Sequence, residues 1–323
     1  MNIENKRILL TGGAGFIGTK LCSMLHGNNE ILIYDNLNRN AIKKTNLLQC
    51  ENVNLVKGDI LDINHLKSVV DEFKPNIVIH LAAIAGIDTV IKNPVKTMQV
   101  NMIGTYNVLE VLKDNMDGLE RVIDFSTSEV FGSYAYKVNE KSTTNLAPVG
   151  EARWTYSISK LAGEHLAHSY YKEYNMPVVT VRPFNIYGPG QVGEGAIHEF
   201  VVRAIKNEQI QIHGDGDQIR SWCYIDDFVK GIVLCIETKE AIGQAFNIGN
   251  PRCTITISML AEVIKRISDS RSEIKYVPKN YVDVELRIPS IDKAKEILEY
   301  EPQYDLTKGL KETIEWYRGA VND

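Results

Sequence analysis

Tyr156 and Lys160 stand four residues apart in Tyr156-Ser157-Ile158-Ser159-Lys160. On a helix these side chains share a face. A free phenol has a pKa near ~10 and is a poor base at neutral pH. A neighbouring ammonium stabilises the phenolate, which can then take the proton of a substrate hydroxyl. Alone, this spacing is common and means little. A second group follows the apolar run 122–125: Ser126-Thr127-Ser128-Glu129-Val130-Phe131-Gly132. Thr127 can hydrogen-bond the reacting hydroxyl, and Glu129 can act as an acid or base. The plainer role of that Ser/Thr cluster is to cap the next segment. The catalytic candidates from the residues themselves are thus Thr127, Glu129, Tyr156 and Lys160.

The weight of these residues comes from Thr11-Gly12-Gly13-Ala14-Gly15-Phe16-Ile17-Gly18. Glycines at 12, 15 and 18 follow an apolar run and open a helical pattern. Glycine lets the backbone turn sharply and approach a pyrophosphate closely. Free N–H groups at the helix start bind the phosphates. Asp35 ends the next apolar run, 23 residues after Gly12. That offset suits a carboxylate accepting from the adenosine ribose, and it repels a 2′-phosphate. The cofactor expected is NAD, with Arg39 nearby as the one opposing sign. Asp59, in Gly58-Asp59-Ile60, either contacts the adenine or caps the next helix.

Stepping out from these residues, short β-branched runs lie at 7–10, 31–35, 53–56, 77–81, 122–125 and 178–181. Helix-length stretches such as 95–113 and 156–174 separate them. Continuous apolar runs suit strands covered on both faces. The expected fold is α/β, a doubly wound parallel (Rossmann) sheet with a smaller C-terminal α/β substrate lobe. Residues 1–182 form the NAD-binding domain, with roughly 223–250 packing back onto it. Residues 183–222 and 251–323 form the lobe, including helices at 258–267 and 306–318. Asp226-Asp227 are expected to cap a helix over 228–237.

Composition removes other classes. The chain has 323 residues, a net charge of −5 and 44% hydrophobic content. A pI near 5.9 gives no basic footprint for nucleic acid. The longest apolar stretch, 77–87, contains His80 and falls well short of the ~18 residues of a membrane span. Five cysteines without a C-x-x-C pair indicate thiols in a reducing compartment, and a cytoplasmic location is expected. His165 and His168 have no companions for a metal site. Trp154, Trp222 and Trp316 read as packing residues and Cys223 as structural.

Together these features resemble the extended short-chain dehydrogenase/reductases that modify nucleotide sugars. The glycine turn, His80-Leu81-Ala82-Ala83, Asn101 and Thr127–Gly132 carry the likeness. So do Tyr156/Lys160, 182–190, 214–220 and 246–250. The resemblance implies cofactor contacts at Gly12, Gly15, Phe16, Ile17, Gly18, Asp35, Asp59, Ile60, Leu81 and Lys160. It implies that Asn185 and Arg220 meet the substrate pyrophosphate. It also implies a homodimer through a four-helix bundle built on 95–113 and 156–174. In this family C4 of the hexose is oxidised first; 4-epimerisation, 4,6-dehydration or decarboxylation follows. Dehydratases of the dTDP-glucose type carry Asp-Glu after the threonine, whereas this chain has Ser128-Glu129. That pair, Arg153-Trp154-Thr155-Tyr156 and 284–291 are similar to UDP-glucuronate decarboxylases; the resemblance implies that Arg287 is in the site with Ser128 and Glu129 beside it, which makes Ser128 a further catalytic candidate. A guanidinium fork binds a carboxylate or phosphate bidentately. A UDP-sugar is the favoured substrate, and a non-catalytic NAD sensor is the remote alternative.

Overall fold

Isoleucine, leucine and valine runs too short for helices make the centre of the molecule. The structure, a computed structural model, describes residues 3–146, 148–279 and 281–321. The first half alternates strand and helix: β1 (Arg7–Thr11), α1 (Phe16–Leu25), β2 (Glu30–Asp35), β3 (Val53–Lys57), α2 (Ile63–Phe73) and β4 (Ile77–His80). Next come α3 (Ile87–Lys92), α4 (Pro94–Met98), a π turn (Gln99–Ile103), α5 (Gly104–Lys113) and β5 (Arg121–Phe125). Then follow β6 (Tyr134–Val138), α6 (Ala152–Tyr174), β7 (Val178–Pro183) and β8 (Ile186–Tyr187). The last third holds α7 (Ala196–Ile205), β9 (Ile210–His213), β10 (Ile219–Ser221), β11 (Cys223–Tyr224), α8 (Ile225–Glu237) and β12 (Ala245–Ile248). It ends with β13 (Thr254–Thr256), α9 (Ile257–Ile267), β14 (Ile274–Val277), β15 (Leu286–Pro289), α10 (Asp292–Leu298) and α11 (Leu306–Val321).

Seven strands form one sheet in the order β12-β7-β5-β4-β1-β2-β3. Every pairing in it is parallel. β4 and β5 are buried throughout, as strands covered by helices on both faces must be. This is the doubly wound sheet expected. Sequence order reverses at β1, whose neighbours are β2 and β4. Ligands bind in the crevice outside the carboxyl ends of the strands at such a point. A second sheet, β13-β10-β15-β6, lies in the C-terminal part and takes β6 from the segment between β5 and α6.

Four local expectations are corrected. The helix expected over 95–113 is one rod interrupted by the π turn, where backbone bonding slips by a residue. The helix expected from 156 starts at Ala152, one turn earlier. Asp226 and Asp227 lie inside the first turn of α8 and do not cap it. Asp227 instead accepts from the backbone of Gln303 at 2.7 Å and Tyr304 at 2.9 Å, binding the loop before α11. Asp62, not Asp59, caps α2 by accepting from His65 N at 3.0 Å. Among the described residues no helix is long and apolar enough to cross a membrane.

Candidate active site

A cleft of about 630 Å³ opens at the carboxyl ends of β1 and β4. Gly12, Gly15, Phe16, Ile17 and Gly18 form one wall, with Asp35, Asp59, Ile60 and Leu81 beside them. Gly12 has φ +71, and a Cβ there would lie 2.5 Å from Ala82 N. Gly15 is the N-cap of α1 and offers no capping side chain. A Cβ on Gly15 would meet nothing closer than Gly12 O at 3.4 Å, so the turn leaves open space beside free N–H groups. Such a cradle fits a pyrophosphate.

Asp35 is buried and accepts from Ala14 N at 3.0 Å and Leu37 N at 2.7 Å. Burial raises its pKa while those two bonds oppose the rise. Each carboxylate oxygen keeps a lone pair for a ribose hydroxyl. Asp59 accepts from Leu61 N at 2.9 Å, a turn contact that leaves its second oxygen facing the cleft rim and Lys96 at 3.8 Å.

Thr127, Tyr156 and Lys160 line the inner end of the same cleft. Thr127 also accepts from Glu129 N at 3.2 Å, so the capping role and the cleft position belong to one residue. Burial pushes the Tyr156 phenol up to about 12, and Glu129 adds to the rise; Thr127, Arg287 and Arg39 oppose it. Burial also lowers Lys160, against Asp124 and Glu164. Two arginines and Thr127 thus act on the phenol, and Lys160 lines the same end of the cleft. Burial disfavours phenolate and ammonium alike. His80 is held between Thr11 Oγ1 at 2.7 Å and Thr105 Oγ1 at 3.0 Å and is lowered to about 3 by burial and by Lys160. Asn101, in the π turn, pins the strand-end loop to α6. Its amide donates to Ile84 O and Ser159 Oγ, both at 3.0 Å, and accepts from Ile84 N at 2.8 Å.

Ser128, Glu129, Arg220, Arg287 and Asn185 do not line this cleft, but most of them meet beside it. Glu129 pairs with Arg153 at 2.5 Å and with Arg287 at 3.5 Å. Arg153 reaches Asp283 at 2.8 Å, and Asp283 reaches Arg220 at 3.2 Å. Three guanidinium groups thus share two carboxylates. Ser157, next to Tyr156 in the chain, donates to Glu129 at 3.4 Å. Arg287 lies on β15 and donates to Gly132 O at 3.1 Å, while its buried Nε has no partner among the described residues. Burial pulls Arg287 down to about 10. Arg220 also bonds Ile219 O and Val284 O, so its fork is largely engaged by protein. Asn185 is held in a left-handed turn, φ 45, with its amide on Ser221 O at 2.8 Å. Ser128 is buried in the turn after β5. Arg153 and Asp283 were not singled out as site residues from sequence. Arg153 could have been found, since it lies one turn before Tyr156 on α6; Asp283 carried no local signal.

A strap between β8 and α7 crosses the cleft. Gln191, Val192 and Glu194 line it opposite the glycine turn. Glu194 accepts from Asp88 N at 2.9 Å, Thr89 N at 3.0 Å and Thr89 Oγ1 at 2.6 Å. Arg39 donates to Ala85 O at 2.8 Å and Thr89 Oγ1 at 3.2 Å, with Glu194 at 3.8 Å. The cation that spoke against NAD is engaged in this bar.

Elsewhere, His165 and His168 are exposed on α6, and no group of three metal-capable side chains exists among the described residues. Cys223 is buried and its thiol is raised by burial, the state of an inert thiol. Trp154 and Trp222 are buried packing residues.

The sequence pattern of the NAD dependent epimerase/dehydratase family matches residues 8–249. The chain is 32% identical to a UDP-N-acetyl-alpha-D-glucosaminuronate decarboxylase of Bacillus cytotoxicus, over 98% of this chain and 99% of that protein. It is 30% identical to a UDP-glucuronate 4-epimerase of Thermodesulfobacterium geofontis, over 97% and 96%. Among solved structures, a Bacillus cereus UDP-glucuronic acid 4-epimerase in complex with UDP-glucuronic acid and NAD is similar. The TM-score is 0.88 at 30% identity, covering 97% of this chain and 99% of that one.

Proposed function

Because the chain belongs to the NAD-dependent epimerase/dehydratase family, we propose that it acts on a UDP-hexuronate, oxidising C4 and then releasing C6 as CO2. The cofactor is NAD. The observation that carries the substrate reading is Arg287. A buried guanidinium N–H without a partner costs on the order of 1–3 kcal/mol or more. An anionic group of the ligand would satisfy it. Arg287 lies 3.5 Å from Glu129, which accepts from Ser157, the neighbour of Tyr156, at 3.4 Å, so an anion on Arg287 would lie on the Tyr156 side of the charge cluster. The C6 carboxylate of a uronate meets this description. Two relatives and one structural neighbour with uronate names support it.

When bound, NAD supplies the acceptor and later the donor of the hydride, and its positive ring favours the phenolate. Tyr156 takes the C4 hydroxyl proton, with Thr127 holding that oxygen. The resulting ketone is β to the C6 carboxylate. The C5–C6 bond then breaks, CO2 leaves, and the electron pair is delocalised into the ketone. Glu129, held by Arg153, is placed to handle the proton that C5 takes up. Tyr156 returns its proton as C4 is reduced. One proton is consumed for each CO2 released.

The test is incubation with UDP-glucuronate and with its 2-acetamido counterpart. CO2 and a UDP-pentose are expected. UDP-uronate consumed without CO2 would indicate 4-epimerisation. Turnover of UDP-hexoses or dTDP-glucose alone would sink the uronate reading, and a 4-keto-6-deoxy product would indicate dehydration.

We also propose the homodimer. Val95, Ile103 and Tyr106 are exposed along the α4–α5 rod, which packs beside α6. A second copy of the chain would cover them, and sedimentation at dimer mass is the expected result. A cytoplasmic setting rests on five unpaired thiols, most of them buried.

A further inference from the structure

On β5, the strand against which α6 packs, lies a buried carboxylate that the mechanism above does not use. Asp124 is on β5, in register with His80 on β4 and Thr180 on β7. Val78, Val122 and Val178, two residues earlier on the same strand faces, pack with Ala167 and Tyr170 of α6, so all three side chains face the layer of α6, where Lys160 and Glu164 stand one turn apart. Asp124 is 2% exposed, and neither of its oxygens makes a well-formed hydrogen bond among the described residues. Lys160 is 4% exposed, and no carboxylate lies within ion-pair distance of it among those residues.

The other charged groups facing Asp124 are accounted for. Glu164 is paired with Arg182, which donates to it from Nη2 at 2.6 Å and from Nε at 3.1 Å. His80 has both ring nitrogens on threonine hydroxyls and stays neutral. Among the described residues facing Asp124, Lys160 is therefore the cation without a paired carboxylate. Thr180, Glu164 and Arg182 also line a second cavity of about 400 Å³, which brings solvent to within one residue of Asp124.

We propose that Asp124 is a positioning residue whose buried carboxylate keeps the Lys160 ammonium charged at the inner end of the cofactor cleft. A lysine this buried loses its hydration and tends to shed its proton. A negative group beneath it in the same low-dielectric layer restores the charge. The two groups support each other. Burial raises Asp124 to about 6, with Lys160 and Thr180 opposing and Glu164 adding. Burial lowers Lys160, with Asp124 and Glu164 opposing. Below pH ~6 Asp124 takes a proton and Lys160 loses that support.

The inference rests on Lys160 being at the cofactor site, not on decarboxylation. Its test needs no sugar, so failure of UDP-glucuronate to react would leave it intact. The NAD holoenzyme is labelled with lysine 13Cε, and the Lys160 resonance is assigned through Lys160→Met. In Asp124→Asn the Lys160 titration midpoint should fall by about one pH unit, roughly tenfold in proton affinity. Asp124→Glu should keep it near the wild-type value. Because the carboxylate is desolvated and poorly bonded, Asp124→Asn should be at least as resistant to urea at pH 7 as wild type. A Lys160 midpoint unchanged in Asp124→Asn overturns the proposal. So does a clear loss of stability or failure to fold in that variant, because either marks Asp124 as a structural group.

Discussion

Replacing Arg287 by methionine tests the proposed carboxylate recognition separately from the proposed C4 oxidation. Methionine keeps much of the stem and removes the fork. In the wild type, Nε is a buried orphan donor and Nη1 lies 3.5 Å from Glu129. A charge-assisted hydrogen bond to a buried group contributes ~1.5–3 kcal/mol. One full bond and one shared bond to the C6 carboxylate make about 3 kcal/mol. At ~1.4 kcal/mol per decade that is roughly 100-fold in kcat/KM. Arg287 also helps lower the Tyr156 phenol, so part of any loss is common to every substrate. The readout is therefore a ratio. kcat/KM for UDP-glucuronate, divided by the rate of NADH formation from UDP-glucose, should fall about 100-fold. Stability should change little, because Glu129 keeps Arg153 at 2.5 Å and a strongly desolvated charge is removed. A ratio within threefold of wild type, in a folded variant, refutes the argument that Arg287 receives the carboxylate.

Other outcomes follow from the same geometry. Tyr156→Phe should reduce NADH formation with any accepted sugar nucleotide by at least ~1,000-fold, and near-normal turnover would remove Tyr156 as the base. Glu194→Ala deletes three hydrogen bonds across the cleft, so stopped-flow release of NAD should quicken about tenfold. Gly86→Ala should act in the same direction, since its Cβ would lie 2.7 Å from the Glu194 carboxylate at φ +96; unchanged release in both variants would show that the strap does not retain the cofactor. His80 is lowered to about 3 in the folded protein against ~6.5 unfolded. Its contribution is full above pH ~6.5 and is lost progressively as pH falls toward ~3. Asp124, raised to about 6, works oppositely between pH ~4 and ~6. Urea midpoints of His80→Gln should decline less than those of wild type from pH 6.5 to 4.

Much of the site was legible because its parts are local in sequence. The glycine turn, Asp35 and the Tyr156/Lys160 pair each need only a strand end or a helix turn to acquire meaning. The alternation of apolar runs with helical stretches likewise implied the parallel sheet, since parallel strands require crossovers. Boundaries were less legible. α6 starts at Ala152 with no side chain capping it, and no local motif marks the π turn at Gln99–Ile103. Asp226-Asp227 looked like caps because acidic residues precede an apolar helix; the tertiary partner of Asp227, the backbone of Gln303 and Tyr304, outweighed that local preference.

By itself the sequence determined the α/β architecture and the NAD cofactor, and it singled out Tyr156 as the proposed base, because all three readings depend on spacing along one or two elements. Tertiary structure decided the charges. Glu129 meets Arg153 and Arg287, Asp283 joins Arg153 to Arg220, and Glu194 crosses the cleft to Thr89. Electrostatic energy depends on separation and burial in space. Neither is written in the distance between two residues along the chain.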